Sequence, residues 1–260
     1  MSFQFIELSR EDGIAILTLN RPEKRNAISD DMRTEMISAL ERVTVDRSVR
    51  ALVVTGKGKG FCAGGDVGGM QKRMQADPGQ VAFNGWARQQ RVHQCVKLLL
   101  NMPKPTIAAV NGAASGLGAD TALSCDFVLA APEATFSWSY IRRGLIPDGG
   151  GMYFLPRRVG LSKAKDLNFS GRTITAHEAL DLGIADRMAE PGKLLEAAMV
   201  WARELGAGSA TALALGKSIL NRALESSADT IFAEGSQAQG ICYTSAEHKA
   251  AVEAFLAKKA

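Results

Sequence analysis

The chain has 260 residues, 46% hydrophobic and 22% charged, a composition that suits one sizeable core, or a core plus a small helical appendage. Its 31 basic and 27 acidic side chains leave a net charge of +4, scattered and not interleaved with aromatics, which argues against a nucleic-acid partner. The start lacks a basic segment followed by an apolar one, and no apolar run reaches membrane-spanning length, so a cytoplasmic protein with no membrane partner is expected.

In chain order, Gly13-Ile-Ala-Ile-Leu-Thr-Leu19 is a continuous apolar β-run ended by Asn20-Arg-Pro22. Arg21 to Arg25 is the densest basic group; it suits a small polyanion such as a nucleotide phosphate, or a solvated loop. Ser29 reads as a helix N-cap, with Asp30 and Asp31 in the first turn and Met32, Met36, Leu40 and Val43 at helical spacing. A strand at Ala51 to Thr55 leads to the glycine-rich turn Gly60-Phe-Cys-Ala-Gly-Gly-Asp66. Residues 67–79 read as a mobile loop before a long helix from about Gln80 to Asn101, which Met102-Pro-Lys-Pro105 stops.

The strand Thr106 to Val110 leads to a second glycine-rich turn, Asn111-Gly-Ala-Ala-Ser-Gly-Leu-Gly-Ala-Asp120, and a short helix ending near Asp126. Phe127 to Ala130 and Ala134 to Ser137 continue the sheet, and Thr175-Ala-His-Glu178 has the form of a capping box. From about Lys193 the pattern is helical, with Ser209 and Ser245 as caps, and this tail should cover the active site or pack on another subunit. An α/β core over 1–195 and a C-terminal helical oligomerisation region over 196–260 are expected. Cys62, Cys95, Cys125 and Cys242 lack metal-ligand spacing and read as reduced, packed thiols, so no metal site is expected.

A glycine-rich turn ahead of a helix leaves backbone N–H groups unpaired and lets a ligand come close. Two of them, at the ends of neighbouring strands, could aim two donors at one oxygen, the geometry that steadies a carbonyl gaining negative charge. Their bland alternative is a pair of tight turns. Neither is a nucleotide-phosphate motif: there is no Gly-Lys-Ser/Thr ending and no complete Gly-x-Gly-x-x-Gly between strand and helix.

Together with Leu19-Asn-Arg-Pro-Glu-Lys-Arg-Asn-Ala27, Pro105-Thr-Ile-Ala-Ala-Val-Asn-Gly112, Ser124-Cys-Asp126, Gly144-Leu-Ile-Pro-Asp-Gly-Gly-Gly151 and the tail Glu247 to Phe255, the two turns resemble the crotonase superfamily, the enoyl-CoA hydratase/isomerase family. The resemblance runs from about residue 3 to 258 and implies a spiral of ββα units with C-terminal helices. It also implies an acyl-CoA thioester substrate, no cofactor beyond the coenzyme A of that substrate, and a homotrimer or hexamer. By position, the oxyanion donors would be the N–H groups of Gly65 and Leu117. Lys24, Arg25, Ala27, Ala63, Gly65, Asp66 and Val67 would line the coenzyme A path.

The acid–base residues depart from the simple hydratases, whose two glutamates are replaced here by Asp120 and Tyr140. Asp148 stands where the resemblance implies the acid/base aspartate of double-bond-shifting isomerases, and burial against Phe136, Trp138 and Tyr140 would raise its pKa. The stretch from Tyr140 to Gly160 looks most like phenylacetate-type isomerases. Asp148 could equally be a helix cap, and Asp120 a helix residue bonded to a neighbour. Enoyl-CoA isomerisation or hydration is the expected activity, with Asp148 moving protons and Asp120 assisting as acid/base or orienting water. His93 raises an alternative, an aryl-CoA dehalogenase with Asp148 as nucleophile and His93 as base, against a plain packing role. From another class, a catalytically silent CoA- or RNA-binding paralogue is weighed; the carboxylates and the absent basic–aromatic patch oppose it.

Overall fold

The computed structural model describes residues 3–257 (and, within them, every side chain except those of residues 70, 72 and 73), so the outermost positions of the expected domain bounds lie outside it, as does position 258, where the resemblance ends. Strands β1 (Ile6–Glu11) and β2 (Ile14–Leu19) form an antiparallel hairpin whose two turn residues, Asp12 and Gly13, both have positive φ. Helix α1 (Asp30–Val45) follows. The Ser29 side chain caps it by accepting from Met32 N at 3.2 Å, and Met32, Met36, Leu40 and Val43 are buried.

The chain then repeats a unit of two strands and a helical segment. In the first, β3 (Ala51–Gly56) and β4 (Gly60–Cys62) precede α2 (Val67–Arg73) and α3 (Pro78–Leu100). In the second, β5 (Thr106–Val110) and β6 (Ala113–Ser115) precede α4 (Leu117–Leu123). In the third, β7 (Phe127–Ala130) and β8 (Thr135–Ser137) precede α5 (Gly151–Val159) and α6 (Leu161–Ser170). Next come β9 (Thr173–Thr175), α7 (Ala176–Asp181), β10 (Arg187–Met188), α8 (Leu194–Gly206), α9 (Ala210–Leu220), α10 (Ala228–Tyr243) and α11 (Ala246–Ala257).

The first strand of each unit joins a six-stranded sheet, β1-β2-β3-β5-β7-β10, parallel from β2 onward; the second joins a smaller sheet, β4-β6-β8-β9. Each glycine-rich segment thus contains a short strand of the smaller sheet, and Thr135–Ser137 extends that sheet, not the first.

Continuous apolar runs in the central strands follow from burial on both faces. Leu17, Leu52, Val54, Ala108 and Val128 face the main core. Ile16, Val53, Ile107 and Leu129 face Met199, Trp201 and Ala202 of α8. The division expected at 195/196 therefore falls within the first turn of a helix that packs on the sheet. Helices α9, α10 and α11 bury no residue completely, and α9 and α10 expose Leu220, Phe232 and Tyr243. Glu247 of α11 ties them together by accepting from Ser209 Oγ and from the N–H groups of Ala210 and Thr211 at the start of α9. Ser209 and Ser245 both cap as expected.

Two local expectations change. Residues 67–73 are helical because Asp66 Oδ1 accepts from Gly68 N at 2.9 Å, a cap that the glycines obscure in the sequence. In the capping box, Thr175 Oγ1 accepts from Glu178 N at 3.2 Å, but the Glu178 carboxylate turns to Arg172 at 2.7 Å. All four cysteines are free, and burial pushes the thiols of Cys62, Cys95 and Cys125 up to about 12, which keeps them protonated. Among the described residues no helix is long and apolar enough to cross a membrane.

Candidate active site

Strands β4 and β6 lie parallel, with Cys62 opposite Ala114, so the turns that leave them, 63–66 and 116–117, emerge side by side. Gly64 has φ +99°, and a Cβ there would sit 2.7 Å from Ser115 O and 3.5 Å from Leu117 N, so only glycine lets the two turns approach this closely. In the parallel bridge Ile28–Gly65, Ile28 bonds to Gly64 O and Asp66 N, which leaves the Gly65 N–H pointing away. Leu117 is the first residue of α4, where an N–H has no intrahelical acceptor. Neither N–H has a hydrogen-bond partner among the described residues.

The same short helix carries Asp120, which is fully buried. Its Oδ1 accepts from Trp138 Nε1 at 2.9 Å and its Oδ2 from the Tyr140 hydroxyl at 2.6 Å. Asp120 and Tyr140, singled out together in the sequence, are thus bonded to each other. Trp138 and Tyr140, two of the residues expected beside Asp148, direct their polar atoms to Asp120. A buried indole N–H needs an acceptor, which signals a partner for Trp138, whereas Tyr140 lies in the helical turn Ser139–Arg143 and carries no such signal.

The glycine run after Asp148 wraps the same carboxylate. A Cβ on Gly149 would lie 2.7 Å from Asp120 Oδ2, and one on Gly151 would overlap Oδ1. Desolvation pushes Asp120 up to about 7, with the nearby Asp148 charge adding to it and the Tyr140 and Trp138 hydrogen bonds opposing it.

This predicts a pH-dependent stability. With a folded-state value above the usual 3.8, the folded protein keeps this proton after the unfolded chain has lost it. The stabilisation is full below about pH 4, declines as pH rises toward 7, and is level above that. Asp120→Asn, which keeps polar atoms opposite Trp138 and Tyr140, should flatten that decline, as read by urea midpoints across the interval.

Asp148 lies in the turn before α5, half-buried, and desolvation raises its pKa. It is not the helix cap, because the N-cap of α5 is Gly150. Its main chain is fixed on both sides: its N–H donates to Ile146 O at 2.8 Å, and His93 Nε2 of α3 donates to its carbonyl at 3.0 Å. A carbonyl only accepts, so Nε2 carries a proton in this bond. Arg88 and Gln89, one turn earlier on α3, also act on the Asp148 carboxylate. Sequence reasoning singled out His93 alone on this helix, although Gln89 precedes it by four residues on the same face.

The positions expected along the coenzyme A path converge on one edge. Ala63 N bonds to Arg25 O at 2.9 Å, and Ile28 is laced between Gly64 and Asp66, so the 24–27 segment lies against the 63–67 turn. The side chains of Lys24, Arg25 and Val67 are exposed there. Asp66 is engaged internally, paired with Arg21 at 3.0 Å, which holds its carboxyl below the ordinary range against an opposing desolvation. Buried Asn26, missed in the sequence, anchors the segment by donating to Lys57 O and Gly60 O. A cavity of about 590 Å³ between α5 and α9 shares no lining residue with this site.

A spiral of paired strands feeding two sheets, with helices outside and a helical tail, is the architecture of the crotonase class. The chain matches the family model for enoyl-CoA hydratase/isomerase over residues 9–260. It is 36% identical to 1,2-epoxyphenylacetyl-CoA isomerase of Escherichia coli over 98% of its own length and 97% of the relative's. It is 34% identical to short-chain-enoyl-CoA hydratase of Clostridium acetobutylicum over 100% and 97%. Among solved structures, an enoyl-CoA hydratase/isomerase from Cupriavidus metallidurans superposes with a TM-score of 0.92 at 35% identity, covering 99% of this chain and 95% of that one. An enoyl-CoA hydratase from Polaromonas superposes with 0.91 at 34%, covering 97% of each. The chain belongs to the enoyl-CoA hydratase/isomerase family and is an enzyme of it, a lyase or isomerase.

Proposed function

We propose that the protein binds an acyl-CoA thioester with its carbonyl oxygen between the N–H groups of Gly65 and Leu117, and that Asp148 then moves the proton in double-bond migration or hydration. The observation that carries this reading is the pair of main-chain donors without acceptors on adjacent turns. In isomerisation, Asp148 takes a proton from carbon, the electron pair flows to the thioester oxygen as an enolate, and the proton returns at another carbon. In hydration, water oxygen adds to the β-carbon, its proton passes to Asp148, and the enolate then takes that proton at the α-carbon. One carboxyl can serve as base and then as acid, and desolvation brings it toward the working pH. Asp120 is enclosed by Trp138 and Tyr140 and acts through the Tyr140 hydroxyl, holding it beside the oxyanion turn at Gly116.

Arg25 and Lys24 would meet the coenzyme A phosphates, with Ala27, Ala63, Asp66 and Val67 along the nucleotide and pantetheine; no cofactor beyond the substrate's own coenzyme A is required. The uncovered apolar side chains of α9 to α11 suit a homotrimer or hexamer. The names of the relatives include both a hydratase and an isomerase, in keeping with either outcome. Assay with crotonyl-CoA, a 3-enoyl-CoA and 4-chlorobenzoyl-CoA tests the reading. Turnover of the first or second is expected; turnover of the third alone would favour the dehalogenase. Binding of all three without turnover would overturn the proposal.

A further inference from the structure

Arg25 and Asn26, consecutive and neither of them glycine, take left-handed backbone, with φ of +49° and +55°. Such residues persist only where their surroundings over-determine them. Here Asn26, fully buried, supplies that constraint. Its Nδ2 donates to Lys57 O at 3.0 Å and to Gly60 O, on the first residue of β4, at 2.8 Å. Its Oδ1 accepts from Arg21 N at 2.9 Å, and its own N–H returns to Arg21 O at 2.9 Å, which closes the 21–26 loop. Asparagine suits the place because it tolerates left-handed backbone and carries two donors and an acceptor on one short side chain.

The residues around this pair run beside the first glycine-rich turn. Arg25 O accepts from Ala63 N, Ile28 N donates to Gly64 O, and Ile28 O accepts from Asp66 N. Gly64 N turns to Cys62 Sγ at 3.4 Å, so Gly65 carries the one N–H of residues 63–66 that has no partner among the described residues. Arg21 adds an outer tie, since its Nη1 donates to Ala27 O at 2.6 Å and to Asp66 Oδ2 at 3.0 Å. The direction of the Gly65 N–H thus follows from where the 25–28 segment lies, and Asn26 sets where that segment lies. We propose that Asn26 is a positioning residue for the reaction: by pinning the 21–28 loop to β4 it aims the Gly65 N–H at the thioester oxygen and, with Arg21, fixes the edge that takes the coenzyme A. The proposal rests on the Gly65 and Leu117 N–H groups being the oxyanion donors. Buried beneath the loop, Asn26 touches no reacting atom, and its loss falls on binding and on the chemical step together.

The test uses whichever enoyl-CoA the wild type turns over, at a temperature where each variant is fully folded by circular dichroism. Asn26→Gly keeps the left-handed backbone at no steric cost and removes the three side-chain bonds. Its kcat should fall about ten- to a hundredfold, the loss expected of a group displaced by about 1 Å, and the Kd of a non-reacting acyl-CoA should rise several-fold. Asn26→Asp keeps the acceptor for Arg21 N but sets a carboxylate against two carbonyl oxygens, and only its protonated form can donate to one of them. Relative to wild type at the same pH, its kcat should therefore recover as pH falls, which a role confined to stability does not produce. Arg21→Met, which leaves Asn26 in place, should raise Kd with a smaller loss of kcat. A wild-type kcat in Asn26→Gly would mean that asparagine serves its backbone alone and would overturn the proposal. Should that variant not fold, a constant ratio of Asn26→Asp to wild type across pH, or a wild-type Kd in Arg21→Met, overturns it as well. A wild-type rate in Leu117→Pro, which lacks the second N–H, would instead remove the oxyanion reading beneath it.

Discussion

Asp148→Asn is expected to lower kcat by about 10²–10⁴, the usual contribution of a placed acid/base. The substitution changes little else. Both main-chain bonds at residue 148, to Ile146 O and from His93, survive, and asparagine matches the volume of aspartate. Affinity for a non-reacting acyl-CoA should therefore stay within a few-fold, since that grip is expected from the 24–27 and 63–67 edge and the two N–H groups. A linked effect follows at Asp120. Its carboxyl feels the charge of Asp148, so in the variant its pKa should fall from about 7, and the loss of stability on raising pH should be smaller. Single-turnover rates with an enoyl-CoA, with binding measured separately, check the main effect. A kcat within tenfold of wild type would take Asp148 out of the chemistry.

Leu117→Pro is the second large expectation, because it removes an N–H while keeping the helix. Residue 117 is the first position of α4, where proline is well tolerated since that N–H makes no intrahelical bond. The preceding residue is Gly116, already at φ +52°, so it does not suffer the crowding proline imposes on bulkier neighbours. Leu117→Ala is the control. It loses similar packing against Gly149 but keeps the donor. If the N–H stabilises the enolate, kcat should fall about 10²–10³ in the proline variant and far less in the alanine one. Equal losses in both would mean that the side chain matters and the N–H does not.

Much of the fold was legible because its signals are local. The Ser29 cap, the Met32–Val43 stripe, the proline stop before Thr106 and the apolar central strands all report short-range patterns that tertiary packing leaves in place. The smaller sheet was not legible. Its strands are three residues long, and in β4 and β6 they consist of residues that equally suit a turn. Only their pairing across the chain shows that Gly60–Cys62 and Ala113–Ser115 are strands.

At the site, the sequence marks the chemistry-bearing residues but not their partners. Asp120 and Tyr140 stand out singly, while their mutual hydrogen bond depends on how the segment after β8 folds over α4. Asp66 and Val67 are found on the expected edge, yet the bonds of Arg21 to Asp66 and of Asn26 to Lys57 and Gly60 join residues far apart in sequence, which the motif around them does not announce.

The split between the two sheets has a consequence for how such a protein can diversify. In the proposed mechanism the groups that hold charge are peptide amides at the ends of β4 and β6, and apart from proline no replacement deletes a peptide N–H. The group proposed to move hydrogen, Asp148, and its neighbours on α3, α4 and the 138–148 stretch act through side chains, and these are free to vary codon by codon. A lineage built this way can trade one reaction for another by small mutational steps, because its hold on the common handle of the substrates does not depend on the positions that change.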